Sequence, residues 1–362
     1  EKYAAATHLC RSGLRRPVNH DPPFTVVTVS FNRAELLPRV YDCLKQQTCQ
    51  KFEWLIVDDG SNDATEELVK GWVAQHELPI RHFRQENQGW HVGFNLALSH
   101  ARGRYITHLD SDDWFPPDAL ENWLACWESI PLADRSRYFS VCGLCARADG
   151  QLIGDRFPSH DMDTDHLELR LRWRVQGDKA VCCQTAIARE FPYPENLGQF
   201  VTISLAWNRA ALHYRSRCVN MILKYVEYQP DGLSARTIHI RAQSPAAACL
   251  FYRELLSCGR QMRWLDRLKA RSNLARFSSH LRQYVGKSAK GGQSVPLGLV
   301  PRVIGFLAYL RDRRVIRRRS VLEVRVPGQY HSRPLPFPSK RMSRQWAASC
   351  RILGWLIRGR HQ

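Results

Sequence analysis

The chain has 362 residues, which is long for one ordinary core. Its 44% hydrophobic and 24% charged residues exclude a mainly disordered chain, a collagen-like chain and a coiled coil, and no run of 18 apolar residues offers a spanning helix. The net charge of +19 is uneven: residues 251–362 carry 25 Lys and Arg against 4 Asp and Glu, while residues 1–250 sum to −2. That split predicts a near-neutral catalytic or binding part and a basic part facing something anionic.

Glu1 to Asp21 lacks the apolar core of a secretion signal and reads as a linker or an expression remnant. After Pro22-Pro23, Thr25 to Phe31 is a β-branched run that predicts a buried strand. Asn32 to Gln47 has Leu36, Leu37, Val40 and Leu44 at helical spacing. Phe52 to Val57 predicts a second strand, ending in Asp58-Asp59-Gly60-Ser61. A helix over Thr65 to Gln75, a strand over Ile80 to Arg84 and a helix over His91 to His100 follow. Tyr105 to Leu109 is a fourth strand, ending in Asp110-Ser-Asp-Asp113. Four alternations of strand and helix predict a mostly parallel sheet covered on both faces, with its ligand site at the carboxyl ends of the strands. Both acidic turns fall there.

Beyond Pro116-Pro117 the pattern predicts a helix to Glu128, strands over Arg137 to Ala146 and Ala180 to Ala188, a turn at Phe191 to Pro194, a helix over Ile203 to Tyr214 and a strand over Val219 to Tyr228. Residues 155–177 give only a weak signal. From Cys249 the texture becomes basic and helical, with a helix over Tyr252 to Tyr284 and a hinge at Ser288 to Ser294. Val295 to Leu310 is apolar but interrupted by prolines, and Arg311 to Arg319 holds six arginines in nine residues. Pro327 to Ser339 reads as loop, and Trp346 to Arg360 mixes apolar and basic residues. The expected domains are an extension at 1–23, an α/β domain at 24–248 in two halves (24–130 and 131–248), and a basic, mainly helical region at 249–362.

Asp110, Asp112 and Asp113 are carboxylates crowded behind an apolar strand. They repel one another unless a cation lies between them, and hard oxygen ligands suit Mg²⁺ or Mn²⁺ shared with a phosphate. An acidic turn capping the next helix would have the same composition. The second acidic turn at another strand end favours a site.

Thr28-Val-Ser-Phe-Asn32, Val57-Asp-Asp-Gly-Ser61, Asn87-Gln-Gly89, Asn95 and Leu109-Asp-Ser-Asp-Asp113 together resemble the ordered landmarks of a family 2 glycosyltransferase with the GT-A fold. A weaker match continues through Gly177-Asp-Lys179, Phe191-Pro-Tyr-Pro-Glu195, Ala206-Trp-Asn208 and Glu227 to Leu233, and is similar to bacterial members that build surface polysaccharides. The resemblance implies a Rossmann-like, mostly parallel sheet, with 24–130 the nucleotide-sugar half and 131–248 the acceptor half. It implies that Phe31 stacks on the nucleotide base, that Asp59 accepts from the base ring and that Asp58 supports the ribose or the turn. It implies a divalent ion, Mn²⁺ or Mg²⁺, held by Asp110 and Asp112 against the diphosphate, with Asp113 sharing the load and counted with the catalytic carboxylates. His91, Asn95 and Arg104 are expected around the donor cleft, and His108 in packing.

Family members invert the anomeric centre, and a carboxylate takes the proton from the acceptor hydroxyl. Relatives tend to carry two glutamates where this chain has Gln199 and Ile203, and a lysine where it has Trp90. Glu195 is therefore the expected base, with Asp178 the other carboxylate nearby. Twelve cysteines without a dense framework read as reduced thiols, and the lone Cys142-Gly-Leu-Cys145 lacks the second pair that structural zinc needs.

The basic third has three readings: a solvated surface, contact with an anionic membrane, or nucleic-acid binding. No recognition module accompanies the arginines, and tryptophans and leucines among them suit an interfacial helix, so membrane contact is preferred. The sequence thus predicts a glycosyltransferase, cytoplasmic and peripheral on the inner membrane face, moving a sugar from a nucleotide-sugar donor, UDP-linked, to a glycan or lipid-linked acceptor. The alternatives are a weakened domain that binds nucleotide sugar without efficient transfer, and a basic interaction protein on an α/β scaffold.

Overall fold

The computed structural model describes residues 22–229, 232, 237–285 and 297–325. Residues 1–21 of the expected 1–23 extension, the Ser288 to Ser294 hinge, the proline-rich loop and the Trp346 to Arg360 segment lie outside the described residues. Ten of the twelve cysteines are described, all of them free.

The predicted alternation is present: β1 (Phe24–Ser30), α1 (Leu37–Lys45), β2 (Phe52–Asp58), α2 (Thr65–Gln75), β3 (Ile80–Arg84), α3 (Trp90–His100), β4 (Tyr105–His108) and α4 (Ala119–Ser129). The chain continues through β5 (Tyr138–Ala146), β6 (Met162–Thr164), α5 (His166–Leu171), β7 (Lys179–Gln184), α6 (Thr185–Ala188), α7 (Ser204–Ala210) and β8 (Arg215–Tyr225). The strands form one sheet in the order β3-β2-β1-β4-β7-β5-β8-β6. The β3-β2-β1-β4 half is parallel, β7 runs against both β4 and β5, and β5 and β8 are parallel. The carboxyl ends of β1, β2, β4 and β8 therefore point the same way.

Burial explains why β1 and β2 read as unbroken apolar runs. Val26, Trp54 and Ile56 join the core on one face, and Val27, Leu55 and Val57 the core on the other. On the first face Trp54 lies against Trp72 and Tyr41, and its indole N–H donates to Thr28 Oγ1 at 2.9 Å. Several boundaries differ from the sequence reading. Ala180 to Ala188 is a strand only to Gln184 and then turns into α6, and the weak stretch 155–177 holds β6 and α5. Asp165 caps α5 by accepting from Glu168 N at 2.8 Å.

The C-terminal helices depart furthest. The single helix expected over Tyr252 to Tyr284 is α9 (Pro245–Ser257) and α10 (Trp264–Val285), preceded by α8 (Thr237–Gln243). The prolines before Leu310 do not break the next element. Pro301 sits in the first turn of α11 (Leu299–Arg325), where the missing N–H had no helical partner. The boundary expected at 248 falls inside α9. Ala247 and Phe251 pack with Tyr193, Val201, Leu205 and Ala206, and Arg209 makes a two-pronged bond to Glu254 at 2.7 and 2.9 Å. Thus α9 belongs to the sheet domain's core, and α10 packs on α9 through Ala248, Cys249, Leu274 and Phe277. Phe251→Ala should cost about 3–5 kcal/mol, as for a buried phenylalanine elsewhere. Urea denaturation checks this, and a loss below about 1 kcal/mol would mean α9 merely rests on the surface.

Candidate functional site

The site forms where β1, β2, β4 and β8 end. At the end of β1, Phe31 is 42% exposed, an aromatic face in water. Asn32 follows in the left-handed region, φ 52°, which asparagine tolerates. Its N–H donates to Ser61 Oγ and its Oδ1 accepts from Asn62 N, so the β1 and β2 turns are tied together.

Both turn aspartates are buried and committed to the protein. Asp58 accepts from Ser61 N at 2.8 Å and from Arg84 Nη1 at 2.7 Å. Asp59 accepts from Gln85 Nε2 at 2.7 Å and from the backbone N–H groups of Gln88 and Gly89, each at 2.9 Å. Asp58 thus holds its own turn, and Asp59 anchors the loop leading into α3. Gly89 ends that loop at φ 95°, and a Cβ there would lie 2.2 Å from the Gln199 carbonyl oxygen. Only glycine allows this approach.

The helix α3 starts under that contact. His91 is 1% exposed, and neither ring nitrogen has a hydrogen-bond partner. Burial pushes its imidazole below the usual range, against the pull of Glu195 and Asp59. Asn95 is a clamp: its side chain bonds Tyr193 N and O at 3.0 and 2.8 Å, and its Nδ2 donates to Glu195 Oε1 at 2.9 Å. Glu195 is therefore exposed but tethered. Trp90 stacks on Phe94 with ring centres 4.9 Å apart and meets His108 and Tyr193 edge-on. These aromatics line a cavity of about 30 Å³ that also touches Ile203 and Trp207.

The cluster after β4 divides its labour. Asp110 is 36% exposed, whereas the Asp113 side chain is 4% exposed and bonded to Lys224 Nζ at 2.9 Å. The same ammonium lies 3.8 Å from Asp110 Oδ2. Burial alone would lower Lys224, but Asp113 and Asp110 hold it well above the ordinary lysine range. Burial pushes Asp113 up to about 7 against the pull of Lys224, and burial with the neighbouring Asp110 charge pushes Asp112 up to about 6. His108 faces this group, with Nε2 4.0 Å from Asp110 Oδ2, and burial and Lys224 push it down to about 4. It is therefore more than the packing residue expected. Arg39 binds the Asp112 carbonyl and Glu227 and stacks over Trp114 at 4.5 Å. Trp114 and Tyr225 exchange backbone hydrogen bonds of 2.8 and 3.1 Å, which fixes the acidic turn to the end of β8.

The sequence placed Phe31, Asp59, Asp110 and Asp112 at one sheet edge, and the fold puts them there. Arg104 is not with them. It precedes β4, at the opposite end of the sheet from the acidic turns, with its guanidinium over the Tyr105 ring at 5.3 Å. Asp178 is bonded to Tyr228 Oη at 2.6 Å. Lys224 was missed. The signal available was a lysine interrupting the apolar run Met221 to Tyr225.

The donor set suits a hard cation. Asp110 and Asp112 offer two carboxylates, the charge of Asp110 helping to raise Asp112, while Lys224 occupies Asp113. Among the described residues no group of three His, Cys, Asp or Glu side chains converges on a metal position. A site with two protein carboxylates leaves the other positions to phosphate oxygens and water, as Mg²⁺ commonly has them.

Residues 25–156 match the model of the glycosyl transferase family 2. This stretch is a family 2 glycosyltransferase domain. Among curated proteins, the family 2 domain is similar to an uncharacterized glycosyltransferase of Rickettsia felis, 35% identical over 119 residues, which are 33% of this chain and 19% of that protein. It is also similar to a putative teichuronic acid biosynthesis glycosyltransferase, TuaG, of Bacillus subtilis, 32% identical over 139 residues, which are 38% of this chain and 53% of that protein. The match thus spans between a fifth and a half of these relatives' length. Among solved structures, S. aureus TarS 1-349 in complex with UDP is 18% identical at a TM-score of 0.53, covering 80% of this chain and 79% of that one. The mannosyltransferase PcManGT of Pyrobaculum calidifontis, in complex with GDP-Man and Mn2+, is 17% identical at 0.50, covering 94% and 86%. At these identities the likeness shows the fold alone, and that fold is GT-A.

Two measurements probe the acidic cluster. Lys224→Met leaves Asp113 buried without its cation and should cost about 3–5 kcal/mol of stability near neutral pH. Equal urea midpoints at equal slope would contradict the ion pair. The raised Asp112 carboxyl destabilises the metal-free fold as pH climbs from about 4 to about 6, because the folded state holds the proton that the unfolded state has released. Asp112→Asn should therefore raise the melting temperature in EDTA at pH 7 and change it little at pH 4. The same shift at both pH values would show that Asp112 is not a raised carboxyl.

Proposed function

We propose that this chain transfers a sugar from a nucleoside-diphosphate sugar to a glycan or lipid-linked acceptor in polysaccharide synthesis. The observation that carries the reading is the paired carboxylates Asp110 and Asp112 after β4, at the same end of the sheet as the exposed ring of Phe31 after the neighbouring parallel strand β1. Two relatives named for polysaccharide synthesis support the pathway class: the TuaG protein of B. subtilis and the E. coli chondroitin synthase, 34% identical over 100 residues.

In this reading Phe31 stacks on the base, and a UDP donor is preferred. Asp59 contributes mainly by holding the 85–89 loop, since three protein donors already use its carboxylate. Asp110 and Asp112 hold Mn²⁺ or Mg²⁺, which neutralises the leaving diphosphate when bound. Lys224 keeps Asp113 and its turn in place with a fixed positive charge. Glu195, positioned by Asn95, takes the acceptor proton in a single inverting displacement. A base must lie within hydrogen-bond reach of that hydroxyl, and Glu195 stands exposed and tied to α3 through Asn95. The second reading, donor binding without efficient transfer, is favoured by Gln199. Its carbonyl packs on Gly89 and its side chain brings no carboxylate to this edge.

The basic region, in the same reading, holds the enzyme on the inner face of an anionic membrane. No described helix is long and apolar enough to cross one.

The decisive test is donor binding. Isothermal titration with UDP-sugars in Mn²⁺ and in EDTA should show Asp112→Asn weakening binding far more in Mn²⁺. Equal affinities of the two proteins in Mn²⁺ would sink the metal assignment, and GDP or dTDP binding tenfold better than UDP would sink the uridine preference. Product formed by the wild type and lost in Glu195→Gln separates transfer from binding alone.

A further inference from the structure

The pairing of α10 with α11 is built for one orientation. Asp312 is buried and bonded to Arg276 Nε and Nη2, each at 2.6 Å, and to His280 Nε2 at 3.1 Å. A Cβ on Gly305 would lie 2.4 Å from the Ser272 carbonyl oxygen, so the two backbones touch there. Pro301, Ala308 and Tyr309 complete the buried side. The i, i+3, i+4 spacing of these residues fixes which side of α11 faces out.

That outward side is apolar where a helix of a solvated domain would be polar. Leu299 is 77% exposed, Val300 59%, Val303 51%, Phe306 52% and Leu307 46%. They form one stripe over the first turns, opposite Gly305 and Asp312. Arg302 and Arg313 flank the stripe on one side and Arg311 on the other, and Arg314 continues it. Such a helix, with leucine, valine and phenylalanine on one face and arginines beside them, has the form of one that lies in a lipid interface.

Charge selects the partner. Residues 326–362 hold seven Lys and Arg and no Asp or Glu, so that segment would bring like charge to the arginines. A second copy would do the same, arginine against arginine. Nucleic acid would neutralise the arginines but leave the apolar stripe in water. An anionic bilayer accepts both. We propose that the outward face of α11 docks this chain on anionic lipid, with Val303, Phe306 and Leu307 entering the interface and Arg302, Arg311 and Arg314 on the headgroups. The proposal rests on the membrane reading of the basic region and names its contact surface.

The test uses the full chain and vesicles of phosphatidylcholine, pure or mixed equally with phosphatidylglycerol. Wild type should sediment with the anionic vesicles and be released by salt. The triple variant Val303→Gln, Phe306→Gln, Leu307→Gln changes only half-exposed side chains. It should keep the wild-type melting temperature and lose about tenfold or more in partition. Arg311→Gln with Arg314→Gln should lose a similar amount on anionic vesicles only. If wild type does not bind the anionic vesicles, the membrane reading itself fails. If wild type binds and the triple variant binds equally, only the face assignment fails. Equal partition of wild type onto pure phosphatidylcholine overturns the role of charge. A wild-type dimer that the triple variant dissolves, binding that appears only after deletion of 326–362, or RNA retention lost in the arginine variant but kept in the triple variant would each assign the face elsewhere.

Discussion

The ammonium of Lys224, set between Asp113 and Asp110, is the contact on which the site depends. It joins two parts of the sheet that are far apart in sequence: the acidic turn after β4 and the end of β8. Burying a charge costs several kcal/mol, and the cost is offset only where the partner geometry is good and further hydrogen bonds satisfy the groups. Here the Glu227 N–H also points at Asp113, and the Trp114–Tyr225 pairing keeps the turn from moving away. One of the three clustered carboxylates is thereby removed from the repulsion. Asp110, more distant from the ammonium at 3.8 Å, and Asp112 are left as the more open carboxylates of the turn.

The second constraint acts on the other side of the cleft. The loop held by Asp59, the glycine it delivers and the Gln199 carbonyl that rests on it form one close-packed joint between the start of α3 and the segment before α7. The Asn95 clamp adds a second link, from α3 to the 193–195 turn. Behind both stands α9, whose Phe251 fills the core under Val201 and Leu205. The 193–206 segment is thus shaped from beneath by a helix that composition assigns to the basic region.

The parallel half of the sheet was legible because its periodicity and turn residues agree: β-branched runs end at Asp58-Asp59 and at Asp110 to Asp113, and those ends became the site edge. Boundaries failed where side chains have two uses. Thr185 to Ala188 has strand-like residues, yet it turns into a helix once Thr185 hydrogen-bonds back to Arg104 and Gly103 across the sheet end. Pro301 reads as a breaker, but at the first turn of a helix it breaks nothing. Composition could not show that Asp58, Asp59 and Asn95 spend their polar groups inside the protein, because an aspartate facing a ligand and one facing a backbone N–H look alike in sequence. Lys224 was hidden for the opposite reason. Its strand is otherwise apolar, and its partners lie more than a hundred residues away.

The course of α9 bears on how such proteins can be recombined. It packs under the 193–206 segment and its flank carries α10, so a chimaera joined at 248 would cut one helix in two and expose the seat of Phe251. A junction after Ser257 keeps α9 whole. Of the ties that cross it, the Arg260–Asp165 pair is partly exposed at Arg260, and ion pairs of that kind contribute little. The sheet domain could then be given a different pair of C-terminal helices, provided the new first helix offers large apolar residues in place of Leu274 and Phe277 to Ala248 and Cys249.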